Sequence, residues 1–281
     1  MRKILYLTLC AAALCVACKQ GQQPADADAA DQTLQFTTSS HERILRYDVP
    51  DEEAESMTYY SIATLHLVLP TVIAGEEPTD LLCAVMQTFL GDSVSTTLSD
   101  AVERYLSQPL GADNDTFENV TEVDSAEADY MHLSDKSDFI YVKTLTPHWL
   151  VLEDNAYEYY AGAAHPMSGR FYLNYDLQNR RLLRLDDVVT DRSHLAVLLS
   201  RLYSEQHVGE RPYGYSTTTD GKGNFGIPVT DNFYLTPEGL SFVYQPYEIA
   251  SYAEGIQTLR VSFYELMDAS ILTEPFQRTD F

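Results

Sequence analysis

The sequence predicts an α+β protein in which antiparallel sheets carry helices packed on one face, arranged as two subdomains. Strand-like runs of alternating Tyr, Val, Leu and Phe recur from residue 42 to the end. Two capped amphipathic stretches follow the first strand pair and a third begins near residue 191. The roughly 240 residues that follow the amino-terminal segment suffice for two modest domains or one large one.

The first residues, Met1-Arg2-Lys3, precede an apolar run from Ile4 to Ala17 that ends Cys15-Val16-Ala17-Cys18. This is the layout of a bacterial secretion signal, and the run is shorter than the about 20 residues a membrane-spanning helix needs. Small residues just before a cysteine resemble a lipobox, in which Cys18 becomes the lipid-modified amino terminus. Residues 1–17 are therefore expected to be a lipoprotein signal peptide and residues 18–40, polar and rich in Ala and Asp, a flexible tether. The expected location is the cell envelope, with a lipid anchor in the membrane. Lys19, in place of Asp, points to the outer membrane if the host has one. Cys83 is then the only other thiol of the mature chain, set among apolar neighbours, so no disulfide framework forms within it.

Domains are expected at 41–167 and 168–281. Strands are read at Glu42–Val49 and Met57–Pro70. Helices follow at about 80–91, capped by Thr79 or Asp80 and stopped by Gly91, and about 99–108, capped by Ser99 and stopped by Pro109. The acidic stretch 111–129 reads as a solvated loop. Two strands broken near Pro147 lead into the tyrosine-rich "YEYYAGAAHP" (157–166), and two more flank a Gln178-Asn179 turn. The third helix is capped at Asp191 or Ser193. The Gly-rich stretch 207–229 reads as a long loop. The chain closes with a hairpin around Pro237-Glu238-Gly239, a strand at about 257–262 and a short helix.

The net charge is −24, from 42 acidic and 18 basic side chains; loss of Arg2 and Lys3 with the leader takes it to about −26. Such a field repels polyanions, which disfavours nucleic acid, and attracts cations or basic proteins. No calcium-loop spacing occurs. The seven histidines (41, 66, 132, 148, 165, 194, 207) are too far apart for a local metal-ligand pair. "GKGNFG" (221–226) lacks the strand-to-helix setting of a phosphate loop, so no metal or cofactor is expected. His165 and Ser168 share one turn, and no Gly-x-Ser-x-Gly elbow exists, so no catalytic residue is assigned.

Three segments carry a family resemblance: "YEYYAGAAHP", "YDLQNRRLLRLDDVV" (175–189) and "NFYLTPEGLSFVYQPYEIASYAEGIQTLRVSFYELMD" (232–268). Together they resemble an uncharacterised envelope domain family, found at the carboxyl end of the lysozyme-sensing anti-sigma factor RsiV and ahead of the catalytic domain of the peptidoglycan deacetylase PdaC. Family members usually carry two glycines before Ala-His-Pro, where this chain has Gly162-Ala163-Ala164. The resemblance spans about residues 41–275. It implies an α+β fold, a lysozyme-like basic protein or peptidoglycan as partner, and a structural turn at His165 beside a binding cleft. Neither signalling nor deacetylase chemistry carries over. The residues expected to line the site are Tyr159, Tyr160, His165, Tyr213, Tyr215, Tyr247 and Tyr252, all near loops that the strand assignments expose. The leading reading is a non-catalytic binding module. A glycan or peptide hydrolase using His165 as base and a purely structural envelope lipoprotein are the alternatives.

Overall fold

The computed structural model describes residues 34–50, 56–111, 117–124, 130–207, 212 and 226–277. The signal peptide, Cys18, residues 18–33 of the tether, Tyr213 and Tyr215 lie outside them. Among the described residues no helix is long and apolar enough to cross a membrane.

Strands β1 (Leu34–Val49) and β2 (Met57–Ile73) form a long antiparallel pair. β1 begins at Leu34, so residues 34–40, expected as tether, are strand. Pro70, which has no N–H to give to a ladder, sits in β2 next to a bulge at Gln35/Phe36 and beyond Leu67, the last residue paired on its other side. Helices α1 (Thr79–Thr88) and α2 (Leu98–Ser107) follow. The residue preceding α1 is Pro78, with no side-chain cap. The cap of α2 is Thr97, whose hydroxyl accepts from the Asp100 N–H at 3.2 Å, not Ser99. The acidic stretch contains a short strand, β3 (Glu118–Val120), paired with Ile44–Arg46 of β1.

Strands β4 (Leu133–Leu145), β5 (Trp149–Tyr159), β6 (Met167–Asp176) and β7 (Arg181–Leu183) complete a seven-stranded sheet of order β3-β1-β2-β4-β5-β6-β7. Residues 168–183, assigned from sequence to the carboxyl-terminal domain, therefore belong to this first sheet. The sheet is mixed: β4 runs parallel to β2, because the chain crosses over through α1, α2 and β3 before returning. A short helix α3 (Leu185–Val188) leads to α4 (Arg192–Gln206), where the Asp191 carboxylate accepts from the N–H groups of Ser193 and His194. Strands β8 (Phe233–Thr236), β9 (Gly239–Tyr244) and β10 (Gln257–Ser262) form a three-stranded antiparallel sheet of order β10-β9-β8, closed by α5 (Phe263–Asp268). Two sheets with helices alongside make the expected α+β fold.

β5 shows why the two halves stay together. Trp149 to Asp154 are all buried, and alternate residues enter different cores. Leu150 and Leu152 pack with Leu65, Leu81, Val85 and Tyr105 beneath α1 and α2. Trp149 and Val151 pack with Leu195, Leu199, Phe233, Phe242 and Leu259 of the second half. Each fully buried Leu or Val contributes about 1.5–3 kcal/mol, so one strand anchors both layers.

Side-chain amides complete the junction between β6 and the small sheet. Asn174 Nδ2 donates to the Phe233 carbonyl at 2.9 Å and its Oδ1 accepts from Leu235 N–H at 2.9 Å. Gln245 brackets Arg170 in the same way, accepting from its N–H at 3.0 Å and donating to its carbonyl at 2.6 Å, while Asn232 donates to that carbonyl at 2.8 Å. The Phe233 carbonyl and Leu235 N–H are buried and would otherwise go unpaired at a junction with no regular ladder, while the Arg170 contacts lie at its exposed margin.

Candidate functional site

The turn between β5 and β6 is built from small residues because its backbone is held from three sides. Ala161 N–H donates to Ser134 Oγ at 3.0 Å, Gly162 N–H to the Tyr130 carbonyl at 3.0 Å, and Ala163 N–H to the Tyr160 carbonyl at 2.9 Å. Gly162 takes φ of 72°, a conformation glycine adopts without strain. The turn delivers His165 and Pro166 to the loop that follows β9.

That loop is equally constrained. Glu248 N–H donates to the Gln245 carbonyl, Tyr247 N–H donates to the Ala250 carbonyl, and Ser251 and Glu254 form a reciprocal capping box. The result brings three of the residues expected from sequence together across more than eighty positions. The His165 ring stacks on Tyr252 with centroids 3.9 Å apart, and Tyr252 stacks in turn with Tyr247 at 5.8 Å. The Tyr252 hydroxyl donates to the Pro166 carbonyl at 2.7 Å. His165 Nδ1 lies 3.0 Å from that carbonyl and Nε2 lies 3.4 Å from the Tyr247 hydroxyl. A carbonyl only accepts, so this geometry places the imidazole proton on Nδ1 and leaves Nε2 to accept from Tyr247.

Tyr247 is 41% exposed and has φ of 71°. A bulky residue in this region is uncommon and costs on the order of 1–3 kcal/mol. The loop spends that energy to hold an aromatic ring at the surface beside His165.

The other expected residues occupy different surroundings. The Tyr159 hydroxyl donates to the Ala163 carbonyl at 3.2 Å and so braces the turn from within. Tyr160, 44% exposed, lies against Gly111, where a Cβ would meet its ring at 3.2 Å, and its hydroxyl points to Glu158 at 3.4 Å. Gln245 and Asn232, which position the loop, were not legible as site residues. Their partner Arg170 is 75 and 62 positions away, and no local pattern marks such a contact.

Beneath the turn, on the helix-facing side of the sheet, lies a buried charged group. Lys136 donates to the Tyr105 carbonyl at 2.8 Å and sits 4.1 Å above that ring; burial pushes its ammonium down to about 8. Burial also raises the carboxyls of Asp138 and Asp154, the charge of Asp138 adding to the effect on Asp154. Asp154 is 1% exposed and its Oδ1 has no hydrogen-bond partner among the described residues. On the opposite face, Lys143 and Glu153 approach to 2.7 Å beside Tyr234. Among the described residues no three or more His, Cys, Asp or Glu side chains are placed to hold a metal ion.

Residues 187–264, from α3 into α5, match the family described as "Protein of unknown function (DUF3298)". No curated protein matches the chain. Among solved structures, a DUF3298 family member from Bacteroides fragilis NCTC 9343 is similar with a TM-score of 0.58 and 19% identity, covering 89% of this chain and 99% of that one. A DUF3298 family protein from Pseudomonas aeruginosa PAO1 gives 0.55 and 15%, covering 88% and 98%. At these identities the likeness establishes the fold. The segment 187–264, which contains Tyr247 and Tyr252, thus matches the DUF3298 family, within a fold that both of those proteins share.

Proposed function

We propose that the chain is a lipid-anchored, non-catalytic binding module of the cell envelope that recognises an extracellular macromolecule at the His165–Tyr247–Tyr252 cluster. The observation that carries this reading is Tyr247: an exposed aromatic ring on a strained backbone, stacked into a row with Tyr252 and His165. Rigid, amphipathic aromatic side chains bind with little loss of conformational freedom, and local strain maintained by surrounding contacts is characteristic of binding sites.

Two further features support a basic protein of the lysozyme class as partner, with cell-wall glycan as the other candidate. The net charge of −24 steers cationic partners toward the surface. The resemblance of the His-Pro turn and the "PYEIASYAEG" segment to the RsiV and PdaC domains supports the same pair of ligands. The cysteine-terminated leader supports the anchor. Incorporation of labelled palmitate at Cys18 tests the anchor, and its absence from Cys18 contradicts it. Tyr247→Ala tests the site: it is expected to weaken capture of a basic lysozyme, or of purified cell-wall glycan, by at least about tenfold. Unchanged affinity for both would refute the site.

A further inference from the structure

A groove of about 430 Å³ opens on the three-stranded sheet at the end formed by the β8–β9 turn. Its floor includes a row of directly paired residues, Tyr234 on β8, Ser241 on β9 and Arg260 on β10. Strand alternation puts this row on the sheet face opposite Phe233, Phe242 and Leu259, which fill the core. Tyr234 is held rigid by Tyr172, whose ring lies 4.6 Å away, and Ser241 is 1% exposed. The volume lies in the range of small-molecule sites.

The charges in this groove are the informative feature. Elsewhere Arg43, Arg104, Arg180, Arg192 and Arg201 each reach a carboxylate. Arg260 is exposed and, among the described residues, forms no ion pair, even in a chain with 42 acidic side chains. Glu238, exposed in the β8–β9 turn, lines the same groove and is likewise in no ion pair among the described residues. The third charged lining residue, Glu265, is already engaged by the Ser262 N–H at 3.0 Å, the Ser262 hydroxyl at 2.8 Å and Arg201 at 2.8 Å. Among the described residues, Arg260 and Glu238 thus line a common space without an ion pair to each other or to any other group.

We infer that this groove binds a small zwitterion, an amino acid or short peptide with both termini free, whose carboxylate is taken by Arg260 and whose ammonium is taken by Glu238. The guanidinium fork matches a carboxylate, and Ser241 supplies a hydroxyl on the groove floor. The site is separate from the His165 cluster and does not depend on it. Peptides of either stereochemistry carry this chemistry, those of the cell wall in the D form and those of proteins in the L form.

Calorimetric titration of the full chain with alanyl-alanine, in the D,D and the L,L forms, tests the inference and separates the two sources. Binding of at least one form is expected. The N-acetylated and the carboxy-amidated dipeptides, each lacking one charge, should bind about tenfold or more weaker. Arg260→Gln and Glu238→Gln are surface changes that keep the fold, checked by circular dichroism, and each should weaken the free dipeptide by a similar factor. Tyr247→Ala should leave this binding unchanged. No heat with either dipeptide at millimolar concentration, equal affinity for the blocked forms, or full affinity in both variants would overturn it.

Discussion

Replacing Asp154 by Asn should stabilise this protein, and by more as the pH rises. Asp154 is 1% exposed on the helix-facing side of β5, with Asp138 nearby and one carboxyl oxygen unpartnered among the described residues. Burial disfavours the ionised form, and the charges of Asp138 and Glu153 oppose it further, so the folded protein keeps this carboxyl protonated well above the ordinary carboxylate range. In the unfolded chain the same group ionises near pH ~4. From there up to its raised folded value, the folded state binds one more proton than the unfolded state. Stability is therefore greatest below the unfolded value and is lost at about 1.4 kcal/mol per pH unit as pH rises through the window. Asn is isosteric with the protonated acid and does not titrate, so the variant escapes this loss. Between pH 5 and pH 7 its advantage should grow by about 3 kcal/mol. Urea denaturation at pH 5, 6, 7 and 8, comparing the two proteins, measures it, and groups common to both cancel. A difference independent of pH, or a variant less stable at pH 7, would show that Asp154 is ionised and paired in the folded protein.

Three other changes probe the scaffold and the site. Asn174→Ala removes both amide contacts to β8 and leaves the Phe233 carbonyl and Leu235 N–H unpaired, and should cost about 3 kcal/mol in thermal or urea unfolding. Gly239→Ala would place a Cβ 2.2 Å from the Val261 carbonyl oxygen and 2.7 Å from Ser262 Cα, both backbone; a loss of more than about 2 kcal/mol is expected. Tyr252→Phe should cost about 1 kcal/mol through loss of its hydrogen bond to the Pro166 carbonyl while keeping the stack on His165. Its His165 ring resonances should shift less than in Tyr252→Ala.

The sequence disclosed local structure wherever one strand or helix face determined it. The alternation from Met57 marks the start of β2, which runs past the expected end at Pro70 to Ile73; the Pro147 break and the Gln178-Asn179 turn mark real strand boundaries, and Asp191 caps α4. What it hid was non-local. The parallel pairing of β2 with β4 depends on a crossover that alternation does not encode, and β3 is three residues supported only by β1. Ser99 looked like a cap because Thr97, two residues earlier, offers the same hydroxyl chemistry. The tyrosine-rich turn and the "PYEIASY" loop were each conspicuous, yet the amides of Gln245 and Asn232 that hold them in place carry no sequence signature. Nothing in the sequence marks Asp138, Asp154 and Lys136 as buried. Only the packing of α2 over β4 and β5 reveals their desolvation.

The central claim is that the His165–Tyr247–Tyr252 row is a binding surface. Its most direct test is calorimetric titration with a basic lysozyme at low and at physiological salt, for the natural protein and for Tyr247→Ala. The reading expects binding that survives physiological salt and is lost in the variant. Binding confined to low salt and indifferent to Tyr247 would reduce the interaction to the nonspecific field of an acidic surface and contradict it.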